Sequence, residues 1–184
     1  DVCSAPGGKT THMAALMENR GRIVACDIYD HKLQRVMENA ARLGINIIDP
    51  MLKDAREIHQ DFPQQADRVL VDAPCSGLGV LRRKPDSRWR KTQQLLKELP
   101  ELQLEILKSG AACVKPGGIL VYSTCTIARE ENQAVVEKFL KDNAEFQLEH
   151  TGSRLPVPRE DAMVQLYPQR DGTDGFFIAC MRRK

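Results

Sequence analysis

The sequence lacks the features that would assign it to a membrane or secreted class. No apolar run approaches the ~20 residues that a helix needs to span a bilayer, and no secretory signal is present. Its six cysteines include no Cys-x-x-Cys pair and its four histidines are scattered, whereas zinc sites and disulfide frameworks have regular spacings. The sequence therefore predicts a soluble, cytoplasmic protein with reduced thiols, no membrane contact and no metal.

A large charge of one sign is also missing. The formal net charge is only +2 over 184 residues, and the chain has no internal repeat or low-complexity tract. Because the charges nearly cancel, the field of the whole molecule does not indicate a polyanionic partner, and any basic surface must be local. A hydrophobic content of 42% is enough for one core. We therefore expect residues 1–184 to form a single domain.

Short apolar strands alternate with helical segments along the chain. The predicted strands are residues 22–26, 45–48, 68–71, 119–123, 146–149 and 176–181. The predicted helices are residues 10–17, 30–43, 101–113 and 130–140. This alternation indicates an α/β fold with a mainly parallel sheet and helices on both faces. Because residues 1–3 have the pattern of a strand end, we also expect the first strand to be truncated and the chain to be a fragment.

Three aspartates follow predicted strands, at the sheet edge where open α/β folds bind ligands. Asp27 lies about 20 residues after a glycine-rich turn, which is the ribose-binding position of a dinucleotide-type unit. Asp54 and Asp72 follow later strands. Three carboxylates repel a pyrophosphate but suit a positively charged ligand, which favours S-adenosylmethionine over a dinucleotide. Alternatively, each aspartate is a turn residue or a helix cap.

The turn itself partly matches a phosphate-binding loop, because Gly7, Gly8, Lys9 and Thr10 follow one another. That motif requires a glycine five positions before the second glycine, and Cys3 occupies this position. A nucleotide triphosphatase is therefore disfavoured, and it would require ATP binding at the turn.

Two cysteines, Cys75 and Cys125, each follow an apolar strand and precede small polar residues. Exposure at the ligand edge and a nearby Lys9 would lower the pKa of such a thiol and supply a thiolate nucleophile. The alternative is that each is a small hydrophobic core residue. The strand ends therefore indicate one or two reactive thiols next to Asp72.

One segment, residues 81–91, is strongly basic and contains a tryptophan. It follows the loop of Cys75 directly, so it could contact the phosphates of a nucleic acid while the indole stacks on a base. Alternatively, it is a solvated loop. The residues expected to contact RNA are Arg82, Arg83, Lys84, Arg88, Trp89 and Arg90.

Together, these motifs resemble those of a known family. They are DVCSAPGGKT at 1–10, DAPCSG at 72–77, RRKPD at 82–86 with Trp89, STC at 123–125, EEN at 130–132 and DGFF at 174–177. Over essentially its whole length, the chain is similar to the RNA cytosine-5 methyltransferases, and most closely to the bacterial 16S ribosomal RNA enzymes of the Sun/Fmu (RsmB) type. The resemblance implies a Rossmann-like methyltransferase domain that uses S-adenosylmethionine and has RNA, in particular ribosomal RNA, as its partner.

The resemblance also implies roles for individual residues. Cys125 is the nucleophile that adds to carbon-6 of cytosine, and Cys75 is the base that allows product release. Asp72 lies near the methionine part of the cofactor and the target base. Asp27 holds the ribose hydroxyls, and Asp54 the adenine side. The cofactor turn consists of Cys3, Ser4, Ala5, Pro6, Gly7, Gly8 and Lys9.

Three further expectations concern access, orientation and the RNA. The target base must reach the thiol, so it should be single-stranded or flipped out of a helix. Lys9 is expected to orient Asp72. Relatives usually carry an upstream RNA-binding domain, which we expect this chain to lack. The alternative function is a non-catalytic RNA-binding module that retains the methyltransferase fold.

Overall fold

The computed structural model describes residues 1–90, 92–156 and 158–184, and at five of these positions it describes the backbone alone. These positions are Ser87, Arg90, Gln93, Leu95 and Arg154. The strands in these ranges are β1 (Ile23–Asp27), β2 (Ile48–Leu52), β3 (Ala66–Asp72), β4 (Val114–Thr124), β5 (Phe146–Leu148), β6 (Met163–Leu166) and β7 (Phe176–Arg183). The α-helices are α1 (Gly8–Leu16), α2 (Asp30–Arg42), α3 (Gln93–Cys113), α4 (Gln133–Asp142) and α5 (Pro168–Asp171). Short 3-10 helices occupy Ala55–Gln60, Leu78–Val80, Pro85–Arg90 and Thr151–Arg154.

The strands form a mainly parallel arrangement in which β7 has the opposite direction. β1 pairs with β2 and β3 pairs with β4 in parallel, whereas β7 is antiparallel to β4, β5 and β6. Residues 1–4 lie between β1 and β3: Ser4 N donates to Cys26 O (2.8 Å), and Val2 N donates to Leu70 O (3.0 Å). The predicted α/β fold with a mainly parallel sheet is therefore confirmed.

Helices cover both faces of this sheet. On β1, Ala25 packs with Val36 of α2 in one buried cluster, whereas the next residue, Cys26, belongs to the cluster on the opposite face. Alternation of this kind is the geometry of a strand that is buried on both sides. The cluster that contains Cys26 also includes residues of α3 and α4, and its largest buried side chains are Tyr122, Phe139 and Phe177. No helix in the described ranges is both long and apolar enough to cross a membrane.

The second strand begins later than predicted. The expected strand at residues 45–48 is wrong except at Ile48, because β2 begins at Ile48 and runs through Pro50 to Leu52. Among the described strands β2 pairs with β1 alone, so the missing N–H of Pro50 can face outward, as proline requires in an edge strand. Ile45 and Ile47 pack instead against the cluster beneath α1 and α2.

Two other elements are longer than predicted. α3 begins at Gln93 instead of residue 101, and it contains Pro100 in its interior. Proline usually ends a helix, but here the helix continues through it. β4 begins at Val114 instead of residue 119, and residues 115–118, which include Pro116 and two glycines, form an irregularity within the strand. Proline and glycine here change the local geometry without ending the element.

Candidate active site

Cys75 and Cys125 lie side by side, although 50 positions separate them in the chain. Cys75 belongs to the loop after β3, and Cys125 directly follows β4. Because Asp72 is opposite Ser123 in the register of these neighbouring strands, both thiols emerge at the same edge. Their Sγ atoms are 3.3 Å apart and share a hydrogen bond.

The two thiols hold their protons unequally. A hydrogen bond from Cys75 lowers the pKa of Cys125 to about 7; Lys9 acts in the same direction, while burial and Asp72 oppose it. That same hydrogen bond, burial and the charge of Cys125 raise the pKa of Cys75. The direction of these shifts favours Cys125 as the thiolate of the pair and Cys75 as the thiol that donates to it.

Asp72, the last residue of β3, is fixed from two sides. Lys9 Nζ lies 2.7 Å from its Oδ2, and Ser123 Oγ donates to its Oδ1 at 2.7 Å. The first contact is the one expected for Lys9. The Lys9 ammonium also lies 5.0 Å from the centroid of the Phe176 ring, which is within the range of a cation–π contact. These contacts leave the Asp72 carboxylate little rotational freedom beside the thiols.

The predicted cofactor turn at residues 3–9 joins the sheet to α1. Ser4 donates to the carbonyl of Cys26 through both its N–H (2.8 Å) and its Oγ (2.9 Å). Gly7 has a φ of 100°, and a Cβ there would lie 3.1 Å from the Cα of Val36. Glycine therefore allows both the positive φ and the close approach of the turn to α2.

Asp27 ends β1 beside this turn and is only 9% exposed. Its Oδ1 accepts a hydrogen bond from the N–H of Tyr29 (3.1 Å), which fixes the carboxylate at the sheet edge. Burial, together with the charges of Asp27 and Asp72, raises the pKa of Cys3 to about 12. The turn and the two carboxylates are thus close enough to interact electrostatically.

Asp54 has a partner of its own. It caps the 3-10 helix Ala55–Gln60 by accepting from Arg56 N (2.9 Å), and the Arg56 guanidinium lies 2.6 Å from its Oδ2. Hydrogen bonding from the guanidinium lowers the pKa of Asp54. The alternative interpretation of this residue as a helix cap is therefore confirmed, and its assignment to the adenine side stays a prediction.

The basic segment is anchored by an aspartate from the other end of the chain. Arg82 and Arg83 lie 2.6 and 2.5 Å from the carboxylate oxygens of Asp174. The other exposed side chains described in this segment include Lys84, Arg88 and Trp89, the last 84% exposed. The side chain of Arg90 lies outside the described residues. RNA contact by all six stays a prediction, and Arg82 and Arg83 would contact phosphate while paired with Asp174.

Backbone contacts at Gly79, two residues before the basic segment, join this part of the chain to Cys125. Gly79 N donates to Cys125 O (3.0 Å), and Gly175 N donates to Gly79 O (2.9 Å). A Cβ on Gly79 would lie 2.0 Å from the carbonyl oxygen of Gly175 and 2.8 Å from that of Cys125. Both neighbours are backbone atoms, so a side chain here forces main-chain movement.

Gly79→Ala is expected to lower the free energy of unfolding by about 1–3 kcal/mol, the usual cost of overpacking. Urea denaturation measures the change. Gly8→Ala is the matched control for stability, since a Cβ at Gly8 meets nothing within 4 Å. Equal denaturation midpoints for Gly79→Ala and the unsubstituted protein would contradict the close contact.

The sequence did not predict two of the contacts at this site. Ser123 donates to Asp72, and the buried carboxylate of Glu131 accepts from the backbone N–H of Ser76 (2.8 Å). The first contact follows from the register of the two strands, in which Asp72 at the end of β3 lies opposite Ser123 of β4. The second had only the sequence Glu-Glu-Asn at residues 130–132 as its signal, with no indication of its partner.

Two cavities lie away from the candidate site, and neither is lined by Cys75 or Cys125. One of about 410 Å³ lies near Thr11 and Gly44, and one of about 450 Å³ lies near Lys115 and Arg182. In the part of the chain that the structure describes, no group of three His, Cys, Asp or Glu residues is arranged to hold a metal ion. The candidate site consists of the thiols of Cys75 and Cys125 and the carboxylates at the sheet edge.

Comparison with known proteins gives consistent matches. A family model described as "16S rRNA methyltransferase RsmB/F" matches residues 1–182. A probable ribosomal RNA small subunit methyltransferase B from Bacillus subtilis is 45% identical over 190 residues, which cover 100% of this chain and 42% of that protein. A ribosomal RNA small subunit methyltransferase B from Yersinia pseudotuberculosis is 38% identical over 184 residues, with the same two coverages.

A solved structure also matches this chain over its whole length. The crystal structure of NSun6 from Pyrococcus horikoshii with SFG has a TM-score of 0.88 and 35% identity, covering 100% of this chain and 47% of that chain. The chain thus spans 42% of the length of the curated relatives described above.

Proposed function

The chain belongs to the 16S rRNA methyltransferase RsmB/F family, and from this premise we propose that it transfers a methyl group from S-adenosylmethionine to carbon-5 of a cytosine in 16S ribosomal RNA. The observation that carries the proposal is the 3.3 Å contact between Cys75 Sγ and Cys125 Sγ. Two thiols with unequal proton affinities suit a reaction that needs first a nucleophile and then a base. We further propose that residues 1–184 are the catalytic domain.

The carboxylates at the sheet edge have the right chemistry for the cofactor. S-adenosylmethionine offers ribose hydroxyls, amino groups and a positive sulfonium, all of which favour carboxylate acceptors. In this proposal Asp27 binds the ribose hydroxyls, residues 3–9 surround the cofactor, and Asp54 lies on the adenine side. Asp72 lies towards the methionine part and the base. When bound, the cofactor supplies an electrophilic methyl group.

Cys125 begins the reaction in this proposal. Its thiolate adds to carbon-6 of cytosine, which makes carbon-5 nucleophilic enough to take the methyl group. Asp72, held by Lys9 and Ser123, hydrogen-bonds to the ring nitrogen or the amino edge of the base and stabilises the adduct. Because a base inside a helix cannot reach Cys125, the target is single-stranded or flipped out.

Cys75 ends the reaction. Its pKa is raised partly by hydrogen bonding to Cys125 and by the charge on that residue, and both effects disappear once Cys125 has bonded to carbon-6. The pKa of Cys75 then falls, although burial still raises it, and the fraction of Cys75 that releases its proton to solvent is the reacting base. The resulting thiolate takes the proton from carbon-5, and the electrons of that C–H bond restore the double bond between carbon-5 and carbon-6. The bond between carbon-6 and Cys125 breaks at the same time, and its electron pair returns to Cys125.

The rate of covalent adduct formation should rise with pH through a midpoint of about 7, the pKa of Cys125. The thiolate is the reacting form, so the rate falls when Cys125 is protonated at lower pH. Cys75→Ala removes the hydrogen bond that lowers this pKa, and the midpoint should move upward. Adduct rates with 5-fluorocytosine RNA across a pH series measure both midpoints.

Cys75→Ser is the matched variant for that experiment. A serine hydroxyl can still donate to the Cys125 thiolate, so its midpoint should lie below that of Cys75→Ala. Identical midpoints in the unsubstituted protein and Cys75→Ala would contradict the proposed hydrogen bond.

Mapping 5-methylcytosine in RNA from cells that lack the gene tests the function. Loss of a modified cytosine in 16S ribosomal RNA is expected, and an unchanged 16S pattern would contradict the proposed substrate. Calorimetry of the intact protein with S-adenosylmethionine separates the alternative, because a non-catalytic RNA-binding module need not bind the cofactor.

A further inference from the structure

A buried network of polar side chains surrounds the two thiols. Its members are Ser76, Gln103, Thr124, Thr126, Glu131 and Asn132, each at most 1% exposed. Burying polar groups is costly unless each finds hydrogen-bond partners. Because the network bonds to the residues that flank both cysteines, its geometry can determine the positions of the thiols.

Glu131 and Gln103 hold the residues on either side of Cys75. Glu131 Oε2 accepts from Ser76 N (2.8 Å), and Gln103 Nε2 donates to Pro74 O (2.9 Å). Gln103 Nε2 also donates to Glu131 Oε2 (2.9 Å), so the two supports are joined. Cys75 lies between β3 and the 3-10 helix at Leu78–Val80, and therefore no strand pairing fixes it.

Cys125 depends much less on Glu131. Its preceding residue, Thr124, pairs with β7 and also donates to Asn132 Oδ1 (2.5 Å). The carbonyl of Cys125 accepts from Gly79 N (3.0 Å). Glu131 reaches this side only through the longer contact from Thr126 Oγ1 (3.3 Å). Loss of the carboxylate should therefore displace Cys75 while Cys125 keeps its place.

We propose that Glu131 is a positioning residue that holds Cys75 where it can remove the carbon-5 proton; this inference rests on the proposed function. Both carboxylate oxygens of Glu131 only accept, and they meet a backbone N–H, an amide N–H and a hydroxyl. A glutamine side chain of the same shape presents an NH₂ group in place of one oxygen. That group can turn toward the Thr126 hydroxyl, which is able to accept from it. The remaining amide oxygen is neutral, however, so the hydrogen bonds from Ser76 N and Gln103 Nε2 lose their charge assistance and hold the loop of Cys75 less firmly.

Glu131→Gln is expected to slow steady-state turnover by about tenfold to a hundredfold, because displacing a reacting group by ~1 Å can cost ~100-fold. At a pH where Cys125 is ionised in both proteins, the first turnover and the KM values for RNA and S-adenosylmethionine should change little. Rapid-quench kinetics on cytosine RNA separates the burst from the steady state. Adduct formation with 5-fluorocytosine RNA should keep its rate at a pH above the midpoints of both proteins, where Cys125 is a thiolate whether or not Cys75 donates to it, because fluorine at carbon-5 blocks the step that needs Cys75.

Two controls test whether the effect passes through Cys75. Glu130→Gln makes the same change at the neighbouring exposed residue and should leave the burst and turnover unchanged. The double variant Glu131→Gln with Cys75→Ala should turn over no more slowly than Cys75→Ala alone, because residues that act through one step are not additive. Additive losses would contradict the proposal.

Failure of this inference is distinguishable from failure of the proposed function. If the unsubstituted protein forms no adduct with 5-fluorocytosine RNA, the proposed function is wrong. If it forms the adduct but Glu131→Gln has normal turnover, or loses adduct formation and turnover equally, the positioning role is wrong. Should Glu131→Gln fail to fold, Glu131→Asp keeps the charge but withdraws the carboxylate from Ser76 N by one methylene. Slow turnover with a normal burst then supports the proposal, and unchanged turnover overturns it.

Discussion

Cys125→Ala should abolish methyl transfer to RNA and the covalent adduct with 5-fluorocytosine RNA. Cys125 is the thiol whose pKa is lowered to about 7, by the hydrogen bond from Cys75 and the charge of Lys9. Without it no group is placed to attack carbon-6, and the rate should fall by about 10⁴-fold or more, as for the removal of other covalent nucleophiles. Methyl transfer from labelled S-adenosylmethionine and denaturing electrophoresis of the adduct are the two measurements.

Cys113→Ala is the matched control for this variant. Cys113 is a buried cysteine at the end of α3, so its replacement costs packing but removes no group from the candidate site. It should retain adduct formation. An adduct of normal yield in Cys125→Ala would contradict the assignment of the nucleophile.

Cys75→Ala should trap the protein on methylated RNA. Cys125 can still attack, but the carbon-5 proton has no positioned base, and general-base catalysis typically contributes 10²–10⁴-fold. Steady-state turnover should fall by about that factor, while one methyl group per protein is still transferred. Denaturing electrophoresis with ordinary cytosine RNA should show a stable protein–RNA species that is absent from the unsubstituted protein. Turnover at the normal rate would contradict the base role of Cys75.

The unequal protonation of the thiols bears on which one attacks. Both follow strand ends, so their positions in the sequence alone do not distinguish nucleophile from base. In the structure, the hydrogen bond between them lowers the pKa of Cys125 and raises that of Cys75. The direction of these shifts supports the roles that the family resemblance implies.

Local patterns predicted the parts of the fold whose stability is local or strongly periodic. The buried positions of α2, at Leu33, Val36 and Ala40, repeat with helical spacing, and such a pattern predicts a helix over residues 30–43. Local patterns did not predict that β2 would include Pro50 or that α3 would contain Pro100. In both places tertiary packing retains an element that proline would end in isolation.

The sequence predicted the site only where the regular geometry of the sheet determines it. Parallel strands bring their carboxyl ends to one edge, so the proximity of Asp72 and the two thiols follows from the sequence. Contacts between distant segments do not. Glu131 reaches Ser76 across 55 positions, and Arg82 reaches Asp174 across 92. Such pairs depend on how the loops fold over the sheet, which no local periodicity records.

The identity of the cysteine bonded to carbon-6 tests the central claim most directly. The intact protein is incubated with S-adenosylmethionine and 16S ribosomal RNA that contains 5-fluorocytosine, then digested, and the cross-linked peptide is sequenced by mass spectrometry. The account predicts one cross-link, at Cys125, to a 5-fluorocytosine that carries the transferred methyl group. A cross-link at Cys75, or an intact protein that binds the cofactor and RNA but forms no cross-link, would contradict it.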